Sequence, residues 1–141
     1  GKNKLIDYMK KFGYGEKTGI DLIGETTGII FNPEKMSDLE TATSAFGQGI
    51  STSAIQLVTA TSAAINGGYL LKPTVLKALG ISNTNEIIYQ TTPQVVKQVI
   101  SSETSKLVAS SLEHVVSLGT GRSAYIEGYR VGGKTGTPVH Q

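Results

Sequence analysis

Close to the end of the chain stand Lys134, Thr135, Gly136 and Thr137, residue types that together can hold a carboxylate. The lysine brings positive charge, and threonine hydroxyls give short hydrogen bonds to an anion. Gly136 has no side chain, so a ligand can come close to the backbone, and an extended edge segment can pair with a ligand backbone as an added strand. Alone, the tripeptide Lys-Thr-Gly says little, because a given tripeptide recurs by chance in roughly a few per cent of chains of this length. A second copy, Lys17-Thr18-Gly19, lies in a stretch that reads as loop. A solvated lysine at a strand end is the plain alternative for Lys134.

Other chemistry is thinly supplied. The two histidines are His114 and His140, and there is no cysteine, which excludes thiolate zinc sites and disulfide frameworks. His114 falls on a predicted helix and His140 in the last few residues. Both read as surface histidines, since a triad is recognised by geometry and none is visible. Asp21 and Glu25 sit in a Gly/Thr-rich loop without metal-ligand spacing and read as solvated charge. No metal and no cofactor is expected. The 141 residues are 38% hydrophobic and 17% charged with a net charge of +2, enough apolar material for one core. Lysines and arginines are scattered, without the basic stripe that nucleic-acid phosphates require. No apolar run reaches the roughly 20 residues of a membrane-spanning helix, and no basic, apolar-cored leader stands at Gly1.

The elements that must position these residues follow from periodicity. Leu5, Met9 and Phe12 share a face of a helix predicted over 2–12, with Gly13 where a left-handed cap would sit. From Gly13 to Pro33 the chain reads as loop with one or two short extended pieces. A second helix is predicted over about 53–66, capped within Ser51-Thr52-Ser53, with Ile55, Val58 and Ser62 on one face and Gly67-Gly68 ending it. Tyr69 to Leu79, interrupted by Pro73, and Glu86 to Gln90 read as two strands joined through the turn residues Asn83-Thr84-Asn85. A third helix is predicted over about 103–118, with Ser102 as cap, Glu103 at its positive end, Val108, Leu112, Val115 and Val116 as apolar face and Gly119 closing it. Thr120-Gly121-Arg122 reads as a turn, and Tyr129 to Thr137 as a strand. The whole, 1–141, reads as one α/β unit.

The run from Gly128 to Thr137 (Gly-Tyr-Arg-Val-Gly-Gly-Lys-Thr-Gly-Thr) resembles the third signature strand of class B penicillin-binding proteins. Ala45-Phe46-Gly47-Gln48-Gly49-Ile50-Ser51, with Ile55-Gln56-Leu57 and Asn66-Gly67-Gly68, is similar to that family's Phe-Gly-Gln-Gly block and its following helix. Gly119-Thr120-Gly121-Arg122 resembles the turn before the strand. The blocks stand in family order over nearly the whole chain. Gly19-Ile20-Asp21-Leu22 and 100–105 look most like a sporulation-specific branch.

That resemblance implies a five-stranded, mainly antiparallel sheet flanked by helices, of which this chain would be the C-terminal part, without the serine-motif half. It implies a peptidoglycan D,D-transpeptidase that acylates a serine with a stem peptide, and that β-lactams acylate as well. Lys134 would give positive potential near the serine, Thr135 and Thr137 would hold the carboxylate, and the Thr137 N–H would serve as oxyanion donor. Gly133 and Gly136 would permit close packing and ligand approach, and Gln48 and Gly49 would border the cleft or merely position the next helix. The implied partners are stem peptides and β-lactams, with no nucleic acid. The longer protein would be membrane-anchored at the extracytoplasmic face of a bacterial cell membrane, among cell-wall synthesis partners.

Departures bound this reading. Neither Ser-x-x-Lys nor Ser-x-Asn occurs anywhere in the chain, and a hydroxyl without an adjacent base is a poor nucleophile. The segment alone is therefore expected to be inactive. Pro138-Val139-His140-Gln141 stands where relatives continue Ala-Gln, and Pro138 lacks a backbone donor. A β-lactam or muropeptide sensor module of the same fold is the alternative, and a serine β-lactamase a weaker one.

Overall fold

The computed structural model describes residues 1–136. Two compact units are present, one built from Gly1–Ala63 and Tyr69–Val99, the other from Ala64–Gly68 and, among the described residues, 100–136.

The first unit opens with α1 (Lys2–Lys11). Its end is a Schellman motif: Gly13 N–H donates to the Lys10 carbonyl and Tyr14 N–H to the Met9 carbonyl, both at 3.0 Å, with Gly13 at φ 90°. Ile6 and Met9 point inward and meet Met36, with Leu5, Tyr14, Ile30, Phe31 and Ile50 packed around them. Lys2 Nζ donates to the Met36 carbonyl at 2.9 Å and draws 36 onto the helix.

Residues 38–44 form a helix that the hydrophobic pattern does not announce, α2 (Asp38–Ser44). A reciprocal capping box starts it: Glu40 N–H donates to Ser37 Oγ at 3.2 Å, and Ser37 N–H donates to the Glu40 carboxylate at 2.7 Å. The signal was in the sequence as Ser37-x-x-Glu40, without an apolar stripe long enough to follow it.

The helix α3 (Ala54–Ile65) lies where expected, with a different inner face. Gln56, Ala60 and Ala63 are buried, whereas Val58 is 59% exposed. The expectation of an Ile55–Val58–Ser62 face is corrected by Gln56, a polar residue that packs inward because its amide is fully engaged there.

Four short strands complete this unit: β1 (Tyr69–Leu71), β2 (Ala78–Gly80), β3 (Ile87–Gln90) and β4 (Val95–Gln98). β2 and β3 form the expected antiparallel hairpin, with Asn85 at φ 55° in its turn. Tyr69–Leu79 is not one strand, and β1 pairs antiparallel with β4, which the sequence reading did not find. The break has two physical causes. Pro73 has no donor to give a ladder, and the Asp21 carboxylate takes the Val75 and Leu76 N–H groups at 2.9 and 3.1 Å.

In the second unit α4 (Ser102–Ser117) buries Ser105 and Val116. Its cap is Ser101, whose Oγ accepts from Thr104 N–H at 3.1 Å, one residue earlier than expected. Ser102 Oγ instead donates to the Gly67 carbonyl. Buried Ser105 donates to the Ala64 carbonyl at 2.9 Å and accepts from Gly67 N–H at 3.0 Å, so one hydroxyl fixes the Ala64–Gly68 turn on the helix. A single 3-10 turn, Arg122–Ala124, follows.

One expectation fails outright. Residues 129–136 are not in a strand. A strand exists through its ladder, and no described strand pairs with this segment. Gly133 N–H donates instead to the Leu112 carbonyl of α4 at 3.1 Å.

In the first unit a tight backbone approach is at Gly28. At φ 67°, a Cβ there would stand 2.3 Å from the Ser51 carbonyl oxygen, beside the bridge in which Ile29 and Ser51 exchange hydrogen bonds of 2.7 and 2.9 Å. Gly28→Ala is expected to cost more than about 1 kcal/mol, since an L-residue is strained at that φ and has no room. Chemical denaturation of the purified protein measures it, and a denaturation midpoint equal to that of the wild type would refute the close approach.

Candidate functional site

Lys134, Thr135 and Gly136 are exposed. The chain reaches them by lying against α4: a Cβ on Gly132 would come within 3.2 Å of Leu112 Cβ, while one on Gly133 would make only ordinary contact with Val116. Of the glycines in this run, Gly132 is thus the one that close packing requires. Arg130 forms an ion pair with Glu113 at 2.9 Å, a solvent-exposed pair that contributes on the order of 0–1 kcal/mol. Lys134 Nζ donates to the carbonyl of its neighbour Thr135 at 2.8 Å and lies 3.4 Å from Thr135 Oγ1, and a Cβ on Gly136 would meet nothing within 4 Å. Ammonium and hydroxyl are therefore side by side at an open surface, with backbone approach free at Gly136. Thr137, the expected oxyanion donor, lies outside the described residues, as do Pro138 and His140. His114 is exposed on α4, as expected.

The other Lys-Thr-Gly already holds a carboxylate. Thr18 N–H (2.6 Å) and Thr18 Oγ1 (2.5 Å) both donate to one oxygen of Glu25, and Gly19 N–H donates to the other at 2.9 Å. The Thr18 hydroxyl, the two backbone donors and the charge of Lys17 hold the Glu25 carboxyl below its ordinary pKa. Asp21 is likewise lowered, by Val75 N–H, the Thr74 hydroxyl and Leu76 N–H. Both lie in loop at the surface, as expected, and each is in addition hydrogen-bonded to the backbone. They are structural anions that satisfy backbone donors which no ladder serves.

The Phe46-Gly47-Gln48-Gly49 block follows α2 directly. Gln48 N–H donates to the Thr43 carbonyl at 3.0 Å, and the Phe31 ring lies 3.0 Å from where a Gly49 Cβ would be. Sequence reasoning named these residues, and Gln56 only within Ile55-Gln56-Leu57, without a role. Its side chain is buried at 1% exposure. Gln56 Nε2 donates to the Glu16 carbonyl at 2.7 Å and the Thr27 carbonyl at 2.9 Å, and its Oε1 accepts from Ser53 N–H at 2.9 Å. The capping-box spacing Ser53-x-x-Gln56 could have revealed it.

A family model described as the penicillin-binding protein transpeptidase domain matches residues 1–140. The chain belongs to the penicillin-binding protein transpeptidase family. It is 55% identical over 137 residues to stage V sporulation protein D of Bacillus subtilis, a match covering 97% of this chain and 21% of that protein. The apo transpeptidase domain of Burkholderia pseudomallei penicillin-binding protein 3 superposes with a TM-score of 0.82 at 30% identity, over 99% of this chain and 40% of that one. Penicillin-binding protein 3 of Mycobacterium tuberculosis complexed with ampicillin matches with a TM-score of 0.68 at 28% identity, over 90% of this chain and 26% of that one. The chain spans about a fifth of the length of the curated relatives it matches. The expected mixture of helices and antiparallel strands, as a partial transpeptidase fold, is what the structure has.

Of the residues expected to act, Lys134 and Thr135 are adjacent and exposed in the second unit, whereas Gln48 and Gly49 belong to the first. Among the described residues no group of His, Cys, Asp or Glu could hold a metal ion. The anions Asp21 and Glu25 give this segment an acid limit. Their carboxyls are lowered by folding, so their contribution is fully present above the unfolded values of about 4 and is lost as the pH falls through the lower folded values. Melting temperature should therefore drop as the pH is taken from 5 to 2, and less steeply in a Glu25→Gln, Asp21→Asn double variant. A double variant with the wild-type slope would show that these contacts do not form in solution.

Proposed function

We propose that this segment supplies the carboxylate-binding part of a peptidoglycan D,D-transpeptidase, an acyltransferase that crosslinks stem peptides through a serine acyl-enzyme and is acylated by β-lactams. The observation that carries the reading is Lys134-Thr135-Gly136, exposed and unencumbered at the end of a chain that matches the transpeptidase family throughout. In this reading Lys134 brings positive potential to the cleft, and the Thr135 and Thr137 hydroxyls bind the terminal carboxylate of a stem peptide or the equivalent carboxylate of a β-lactam. The Thr137 N–H joins the oxyanion hole, where one preorganised donor contributes about 10²–10³-fold. The serine and its activating lysine come from outside these 141 residues. The likeness to stage V sporulation protein D supports a sporulation role, and the ampicillin complex of a family member supports β-lactam binding. Because peptidoglycan lies outside the cytoplasmic membrane, we place the whole protein at the extracytoplasmic face, anchored there and working with cell-wall synthesis partners.

The intramolecular site at Thr18–Gly19 lends chemical support: a threonine hydroxyl and two backbone N–H groups of the same tripeptide bind a carboxylate at 2.5–2.9 Å. Two experiments test the reading. The 141-residue chain incubated with fluorescent penicillin and denatured should give no labelled band at 14.9 kDa; a band there would demand a nucleophile within it. In the full-length protein Thr135→Val should slow acylation about ten- to a hundredfold, the equivalent of one charge-assisted hydrogen bond of about 1.5–3 kcal/mol. Unchanged acylation kinetics would make this threonine structural.

A further inference from the structure

We infer that Gln56 is a positioning residue for the Phe46–Gly49 block, fixing its exit at Gly49–Ser51 through a chain of contacts that begins at the Gln56 side-chain amide. The inference rests on the transpeptidase reading for its functional half and on geometry alone for its structural half.

Both amide hydrogens and the carbonyl oxygen of Gln56 are used at 1% exposure, so the side chain has one pose and no water to exchange with. One donor goes to the Glu16 carbonyl and the other to the Thr27 carbonyl, holding two passes of loop that no sheet orders. From Thr27 the geometry runs directly to the block. Gly28 brings its backbone so close that a Cβ would stand 2.3 Å from the Ser51 oxygen and 3.1 Å from Gln56 Oε1. Ile29 and Ser51 then exchange two backbone bonds, and Phe31 lays its ring against Gly49. The Gln56 oxygen meanwhile takes Ser53 N–H, and Ser53 Oγ accepts from Gln56 N–H at 3.2 Å, so the start of α3 is set by the same residue. Residues 49–53 are thus held from both ends by one amide. Its removal takes from two carbonyls and one N–H the partner that holds them, and the bridge at Ile29 and Ser51 loses its anchor at Thr27.

The test uses the full-length protein carrying this segment and its serine motif, as wild type, Gln56→Met and Gln56→Glu. Amide hydrogen exchange at Ile29 and Ser51 should accelerate at least tenfold in the Met variant at a temperature well below its melting point. Acylation by fluorescent penicillin, measured to saturation, should show a limiting rate lowered about tenfold and a half-saturating concentration within twofold, because Lys134 and Thr135 are untouched. The Glu variant keeps the acceptor for Ser53 N–H, and a buried carboxyl facing two carbonyls regains a donor on protonation. Its limiting rate relative to wild type should therefore rise as the pH is lowered from 8 to 6, a recovery that a general loss of stability would not give. Wild-type exchange at Ile29 and Ser51 in folded variants would overturn the inference. So would altered exchange with a limiting rate unchanged in the Met variant, or a rate loss that merely follows the folded fraction. Should the Met variant not fold, the Glu variant decides by the same exchange and pH readouts. Failure of the wild type to label would overturn the transpeptidase reading instead, and the exchange comparison would still decide the structural half.

Discussion

Every buried or half-buried backbone N–H and C=O needs a partner, and this chain meets that demand largely without sheets. The sequence has 17 glycines, and the described strands are three or four residues each. The 13–53 region contains a single β-bridge and one short helix. Side chains take over the role of a ladder. Glu25 serves two loop amides, Asp21 serves two more, and Gln56 serves two carbonyls and an amide. The helices pack where they do because loops pinned in this way deliver Ile30, Phe31, Met36 and Ile50 to the face of α1.

The two Lys-Thr-Gly copies separate what a motif can specify from what its setting specifies. Both offer a cation, a hydroxyl and a backbone approachable at glycine. At 17–19 a glutamate six residues from the glycine closes the site, which makes it a fastening. At 134–136 the contacts found are a lysine turned onto its neighbour's carbonyl and a glycine with open space around it. Nothing in the tripeptide itself distinguishes these fates. What distinguishes them is whether the chain brings its own carboxylate.

Legibility followed the same division. Helices α1, α3 and α4 could be read because periodicity and glycine stops act within a few residues of each other, and the β2–β3 hairpin because Asn85 marks its turn. The inner face of α3 was missed because the decisive residue there is an amide, which a hydrophobic pattern counts as outward. The end of β1 was missed because it is set by Asp21, more than fifty residues away, which captures the N–H groups of Val75 and Leu76. β4 has every residue exposed and no alternation of burial to betray it. The run 129–136 has a strand's composition, but composition cannot supply the neighbouring strand that turns an extended segment into a ladder. The types of Lys134, Thr135 and Gly136 were legible, their support on α4 through Gly132 and Gly133 was not.

That support explains what kind of site the segment can become. A charge-assisted contact to a carboxylate is worth having only if its donors are already in place, since ordering a free lysine and a free backbone costs about as much as one such bond contributes. On one side the backbone is held: Gly133 N–H donates to the Leu112 carbonyl, and a Cβ on Gly132 would crowd Leu112 Cβ at 3.2 Å. On the other side, a Cβ on Gly136 would meet nothing within 4 Å among the described residues. The Lys134 bond to the Thr135 carbonyl is a local, exposed exchange for water and offers little resistance to a better acceptor. A ligand carboxylate arriving there would find charge and hydroxyl available and half of the backbone preordered. The missing half is what a ladder along this segment would provide, whether its strand came from the protein or from a ligand backbone. Strand addition at Lys134–Gly136, as the proposed carboxylate site would use it, therefore needs this edge open.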